Sequence, residues 1–165
     1  MNIRKNNRLE FYDYSQNGAY FITICTRGKQ KIFWIDDKSQ NSVGADIIRP
    51  HDKLNDLGLI VECAIEQITE YYPNTMIDKY VIMPNHVHIL MRIENDEFNG
   101  RIISAPTISI IIGQMKRWVS KQIGYPIWQK SFHDHVIRNE ADYQRIWQYI
   151  DTNPIKWELD CYYTE

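Results

Sequence analysis

Two histidines separated by one apolar residue, His86 and His88, sit inside the apolar run Tyr80-Val-Ile-Met-Pro-Asn-His-Val-His-Ile-Leu-Met91. Side chains alternate between the faces of a strand, so the two imidazoles share one face while Val87, Ile89, Met91 and Ile93 take the other. Two neutral imidazoles at that spacing are half of a site for a divalent transition metal, or for Mg²⁺ or Mn²⁺ completed by oxygen ligands and substrate phosphate. The competing reading is a pair of partly buried histidines bonded to backbone. His133 and His135 repeat the spacing; on a neighbouring strand the four histidines would make a zinc site, although Asp134 and its flanks do not suggest a closed cage.

Other chemistry has less support. The chain lacks a Gly-x-Ser-x-Gly elbow and a phosphate-cradling glycine loop, and Cys25, Cys63 and Cys161 show no CxxC spacing and no nucleophile context. That leaves tyrosine, with eleven copies. A phenol attacks poorly at neutral pH, and a metal that polarises a phosphate oxygen is one way to help it; any single tyrosine is otherwise packing.

The elements that must position these groups follow from periodicity. Ala19 to Thr26 is β-branched and aromatic and predicts a central strand. Leu57, Val61, Ala64 or Ile65, Ile68 and Tyr72 recur at helical spacing, with Asn55-Asp56 as cap and Pro73 as stop. Thr75–Ile82 alternates as a strand, Met83-Pro-Asn85 turns the chain, and His86–Ile93 returns. Ile108, Ile111 or Ile112, Met115, Val119 and Ile123 make a second helical stripe ended by Gly124. Residues 127–138 predict a last strand, and Asn139 caps a third helix over about 140–151 that Asn153-Pro154 ends. Residues 27–53 are least informative and suit a long excursion.

Strand, helix, two hairpin strands, helix, strand, helix is close to the βαββαβ order of the ferredoxin-like fold, an α+β class with helices on one face of an antiparallel sheet. On that plan His86 and His88 project from the open face. The 165 residues suffice for one domain with its own core, with a basic polar arm over 1–18 and a core over 19–157. The odd cysteine count and the missing charged-then-apolar leader favour the cytoplasm, and no run approaches the roughly 18 to 20 apolar residues that span a bilayer. A net charge of −2 argues against gripping duplex DNA by phosphate contacts alone, yet positions 1–31 hold six Lys or Arg against two acids.

His86-Val-His88 after Tyr80-Val-Ile-Met-Pro-Asn85, with Trp128-Gln129, Phe132-His-Asp-His-Val-Ile-Arg138 and Tyr149-Ile-Asp-Thr-Asn-Pro154, resembles the REP-associated tyrosine transposases. These belong with insertion-sequence transposases that share the HUH motif (His, hydrophobic, His) and one tyrosine on a helix. The resemblance covers about residues 19 to 157 and implies a ferredoxin-like or RRM-like core, in agreement with the element order. It implies that His86 and His88 bind Mg²⁺ or Mn²⁺, that Tyr149 is the nucleophile, and that Asn153 completes the metal site.

The activity so implied is cleavage and joining of single-stranded DNA next to imperfect hairpins through a 5′-phosphotyrosine, by a monomer or a homodimer. Each role has a rival: Tyr149 lies at a helix border that Tyr143 also fits, and Asn153 before Pro154 fits an N-cap. Arg4, Arg8, Lys116 and Arg138 are the candidate DNA contacts, against solvated faces and a strand-end charge. The alternative function is a non-catalytic binder of hairpins or single strands derived from this fold.

Overall fold

The computed structural model describes residues 12–14, 16–35, 53–94 and 106–163. Its sheet contains β1 (Gly18–Cys25), β2 (Thr75–Ile82), β3 (His86–Ile93) and β4 (His133–Ile137), and its helices are α1 (Asp56–Tyr71), α2 (Ile108–Ile123) and α3 (Glu140–Thr152). Local chemistry sets the helix ends. The Asn55 side chain accepts hydrogen bonds from the N–H groups of Leu57 and Gly58 at 3.0 and 3.1 Å, satisfying two donors that the first turn of α1 leaves without partners. Asn139 does the same for α3, accepting from the Asp142 N–H at 2.8 Å. Gly124 closes α2 at φ 91°, in the left-handed region that favours glycine.

The strands lie in the order β2-β3-β1-β4 with every neighbour antiparallel, the ferredoxin-like arrangement that the element order predicts. Register fixes what shares a face. Thr23 lies between His88 on one side and His133 on the other, and Phe21 pairs with His135 on β4. Tyr20, Ile22, Ile24, Val87, Ile89, Met91 and Val136 point the opposite way and meet Val61, Ile65 and Ile68 of α1 and Ile111, Ile112, Met115 and Val119 of α2 in the main core. Gly58 is required there, because a Cβ would stand 2.6 Å from the Phe33 carbonyl oxygen.

The histidine face is not open in the way the sequence predicts. α3 crosses it over β2 and β3, burying Ile146 and Ile150 against Val81, Met83 and Leu90 in a second core. That side of the sheet is apolar at Val81 and Leu90, so it demands cover; the β1–β4 half, with Phe21, Thr23 and His135, borders a cavity instead. Two further expectations change. β4 is short because residues 127–132 form a loop joined to β1 through the Thr26–Trp128 bridge. β1 also separates β3 from β4, so His133 and His135 cannot join His86 and His88 in a four-histidine zinc site. The arm carrying Arg4 and Arg8 lies outside the described residues.

Candidate active site

The site is built first from β3. His86 and His88 are buried, and their Nε2 atoms approach to 3.0 Å. Each ring is fixed from behind. Asn85 donates through Nδ2 to the carbonyls of Tyr162 at 2.8 Å and Lys29 at 3.3 Å, which turns its Oδ1 toward His86 Nδ1 at 2.8 Å. Oδ1 can only accept, so His86 carries its proton on Nδ1 and presents a lone pair on Nε2. His88 Nδ1 meets the Thr23 hydroxyl at 2.9 Å.

Burial lowers the His86 pKa to about 4, the nearby Asp160 carboxylate acting in the opposite direction. Burial and the neighbouring His86 hold His88 well below the ordinary imidazole value. Both rings are therefore neutral at neutral pH, the form that ligates metal.

α3 supplies the phenol. The Tyr149 hydroxyl lies 3.3 Å from His88 Nε2 and donates to Asp160 Oδ2 at 3.1 Å, all within one chain. Burial, followed by the Asp160 carboxylate, raises its pKa above that of free tyrosine, so the phenol is protonated at neutral pH. Contacts far from the hydroxyl hold the helix. Tyr143 donates to Asp78 Oδ2 at 2.8 Å, and Lys79 pairs with Asp151 at 2.5 Å while its Nζ stands 4.2 Å from the Trp147 ring centroid. The β2–β3 register shifts between Ile77 and Lys79, around Asp78, where Arg92 also binds that carboxylate. Tyr143 thus anchors the helix and Tyr149 faces the histidines.

Asp160 was missed from sequence. Its buried carboxylate accepts from the Tyr162 N–H at 2.7 Å and stands 4.0 Å from His86 Nε2. His86, His88 and Asp160 offer ligand atoms all within 4.8 Å of one another. No spacing rule marks an aspartate in the tail beyond α3; the turn at Trp157–Leu159 folds it back onto β3.

Asn153 continues in helical geometry at φ −58°, ψ −44°, so it does not adopt the extended N-cap conformation of the rival reading. Its side chain is buried with both polar atoms lacking a protein partner, and its amide lowers the Tyr149 pKa against the larger upward effects. A buried unsatisfied amide beside the phenol is a polar group in need of a ligand.

The donor set fits a divalent ion. Ligand atoms at right angles on an ion about 2.1 Å away stand roughly 3.0 Å apart, the separation of the two Nε2 atoms. Two neutral imidazoles and a carboxylate also mix nitrogen and oxygen donors as Mn²⁺ or Mg²⁺ accepts.

The other two candidates stand elsewhere. Lys116 Nζ donates to the carbonyls of Gln129 at 2.7 Å and of Lys130 and Ser131 at 3.4 Å, pinning the loop before β4. Arg138 is exposed after β4, at the sheet end that holds Gly18 and Ile93 rather than His86.

No family model matches the chain. A Haemophilus influenzae protein described as uncharacterized is 34% identical over 180 residues, covering 98% of this chain and 94% of its own. Another protein of that organism, provisionally named a REP-associated tyrosine transposase, is 25% identical over 87% of this chain and 74% of its own. An Escherichia coli REP-associated tyrosine transposase is 30% identical over 48% of this chain and 44% of its own. A solved REP-associated tyrosine transposase bound to a REP hairpin shares the fold at TM-score 0.59 and 22% identity, over 91% of this chain and 74% of that one. The named relatives and the shared architecture accord with the motifs carrying His86, His88 and Tyr149: the chain is similar in sequence and in fold to REP-associated tyrosine transposases.

Proposed function

We propose that the protein cleaves and rejoins single-stranded DNA beside hairpins, with Tyr149 as nucleophile and an Mg²⁺ or Mn²⁺ ion held by His86, His88 and Asp160, with Asn153 as a further oxygen donor. The observation that carries this reading is the meeting of one phenol, two Nε2 atoms and one carboxylate in a single cluster, with the histidines buried and the phenol open to solvent. A structural histidine pair has no need of all four. The hairpin bound to the solved relative supports the substrate class, and no described helix is long and apolar enough to cross a membrane.

The chemistry follows from the raised Tyr149 pKa. A protonated phenol must lose its proton as it attacks, and Asp160 Oδ2 already accepts that hydrogen bond. The Tyr149 oxygen bonds to phosphorus, the bond from phosphorus to the 3′ oxygen breaks, and that oxygen leaves as a hydroxyl after taking a proton. A divalent ion held by these residues would neutralise charge on the scissile phosphate. The phosphotyrosine conserves a phosphodiester, so a 3′-hydroxyl from another strand reverses the step and transfers the strand without ATP.

Denaturing electrophoresis of protein mixed with labelled hairpin-bearing single strands and Mn²⁺ tests this. A protein-linked 5′ product with the parent, and none with Tyr149→Phe, is the expected result. Hairpin binding without an adduct under either metal would favour the non-catalytic binder.

A further inference from the structure

The β1–β4 half of the histidine face is unused by the chemistry above. It floors a cavity of about 410 Å³ lined by Phe21, Thr23, His135, Arg145, Tyr149 and Tyr162. Three observations give this space a chemical character. Phe21 is half-buried and stacks on His88 at 5.0 Å and 26°, with Tyr149 edge-on at 6.0 Å, so the aromatic floor is held rigid and adjoins the reacting phenol. Arg145 is exposed over 70% of its side chain, and among the described residues its guanidinium uses one donor on Asp142, leaving others of its planar fork open there. His135 Nε2 meets the other Asp142 oxygen at 2.7 Å, so this carboxylate is engaged by two donors, and both hold its pKa low.

We propose that this half of the sheet is a nucleotide subsite: it takes one unpaired base beside the scissile phosphate, the base lying against Phe21 and a neighbouring phosphate meeting Arg145. The inference rests on the reading of Tyr149 and the histidine pair as a DNA-cleaving site and adds which surface receives the strand. An aromatic on a sheet face is a sequence-tolerant platform, since every base has a π-face, while a guanidinium fork suits phosphate. The volume falls within the range of small-molecule clefts and matches one nucleotide better than a duplex. α3 favours a single strand: it fills the β2–β3 half, and among the described residues the space beside Tyr149 opens on the β1–β4 side.

The test is equilibrium binding in a Tyr149→Phe background, where the strand stays intact and affinity is read without cleavage. The probes are fluorescent oligothymidylate and the same sugar-phosphate backbone without bases. Oligothymidylate should bind about tenfold more tightly. Phe21→Leu should erase that ratio, whereas Phe21→Trp keeps it and shows indole quenching on binding, which guards against a merely unfolded variant. Arg145→Gln, at an exposed position, should weaken both probes alike and reduce the slope of log affinity against log salt by about 0.7. A base preference that survives in Phe21→Leu, or an affinity and salt slope unchanged in Arg145→Gln, overturns the proposal even where Tyr149 forms adducts normally. Absent adducts with the expected binding ratios would instead overturn the catalytic reading and leave the subsite standing.

Discussion

At the residue scale, the site depends on what holds each imidazole. Asn85 turns His86 through Oδ1 and is itself fixed by two carbonyls, so the ring has one tautomer and one orientation. Such supporting contacts are worth roughly 10- to 100-fold in metal affinity. Asn85→Ala should therefore weaken Mn²⁺ binding by about that factor in calorimetry; unchanged affinity would mean that the ion does not use His86 Nε2. Asp160→Asn should lower the Tyr149 pKa, because the carboxylate that disfavours phenolate is gone, and spectrophotometric titration measures it. The histidines were legible because HxH on a strand carries spacing, whereas Tyr149 stood out among eleven tyrosines only through the family resemblance of its stretch Tyr149-Ile-Asp-Thr-Asn-Pro154. Asp160 was not, since nothing local marks a residue whose partners, Tyr149 and His86, are brought to it by the chain's path after α3. The surroundings of Lys116 were hidden for a related reason: a lysine off an apolar stripe looks solvated, while here three loop carbonyls take its ammonium.

At the scale of elements, the placement of α3 decides whether a nucleophile faces the histidines. Its apolar residues Ile146 and Ile150 determine which side meets the sheet, and the anchors at Tyr143 and Lys79 determine where along β2 it sits. Tyr143→Phe removes one hydrogen bond to a charged acceptor and should cost about 1.5–3 kcal/mol in urea unfolding. Gly58→Ala should destabilise by about 1–3 kcal/mol, since its Cβ meets the fixed Phe33 carbonyl rather than a flexible side chain. The elements themselves were readable because caps and stops are local: Asn55, Gly124 and Asn139 act within a turn of where they stand. The face that α3 covers was not, because its stripe of Ile146 and Ile150 would fit either side of a sheet and only Val81 and Leu90, on the histidine face, select one.

At the scale of the whole molecule, the two faces of the sheet divide the work. One face is closed by α1 and α2 around an aliphatic core that stabilises the fold, and the other joins a small second core to the cluster of ionisable groups. That division predicts an alkaline limit. Burial raises the pKa of Tyr20, Tyr80 and Tyr149, and brings Tyr143 and Tyr162 to about 12. A group whose folded pKa exceeds its unfolded value contributes stability that is complete below the unfolded value, near 10, and is lost as pH rises through the folded one. Unfolding free energy measured in urea should thus fall steadily between pH 10 and 12; a flat profile would show that these phenols are not desolvated.

The most direct measurement is the site of the covalent bond. Protein incubated with hairpin-bearing single-stranded DNA and Mn²⁺, then digested with nuclease and protease, should yield in mass spectrometry one peptide carrying a nucleotide phosphate, with the phosphate on Tyr149. Cleaved DNA with the phosphate on another tyrosine, or with no modified peptide at all, would contradict the account.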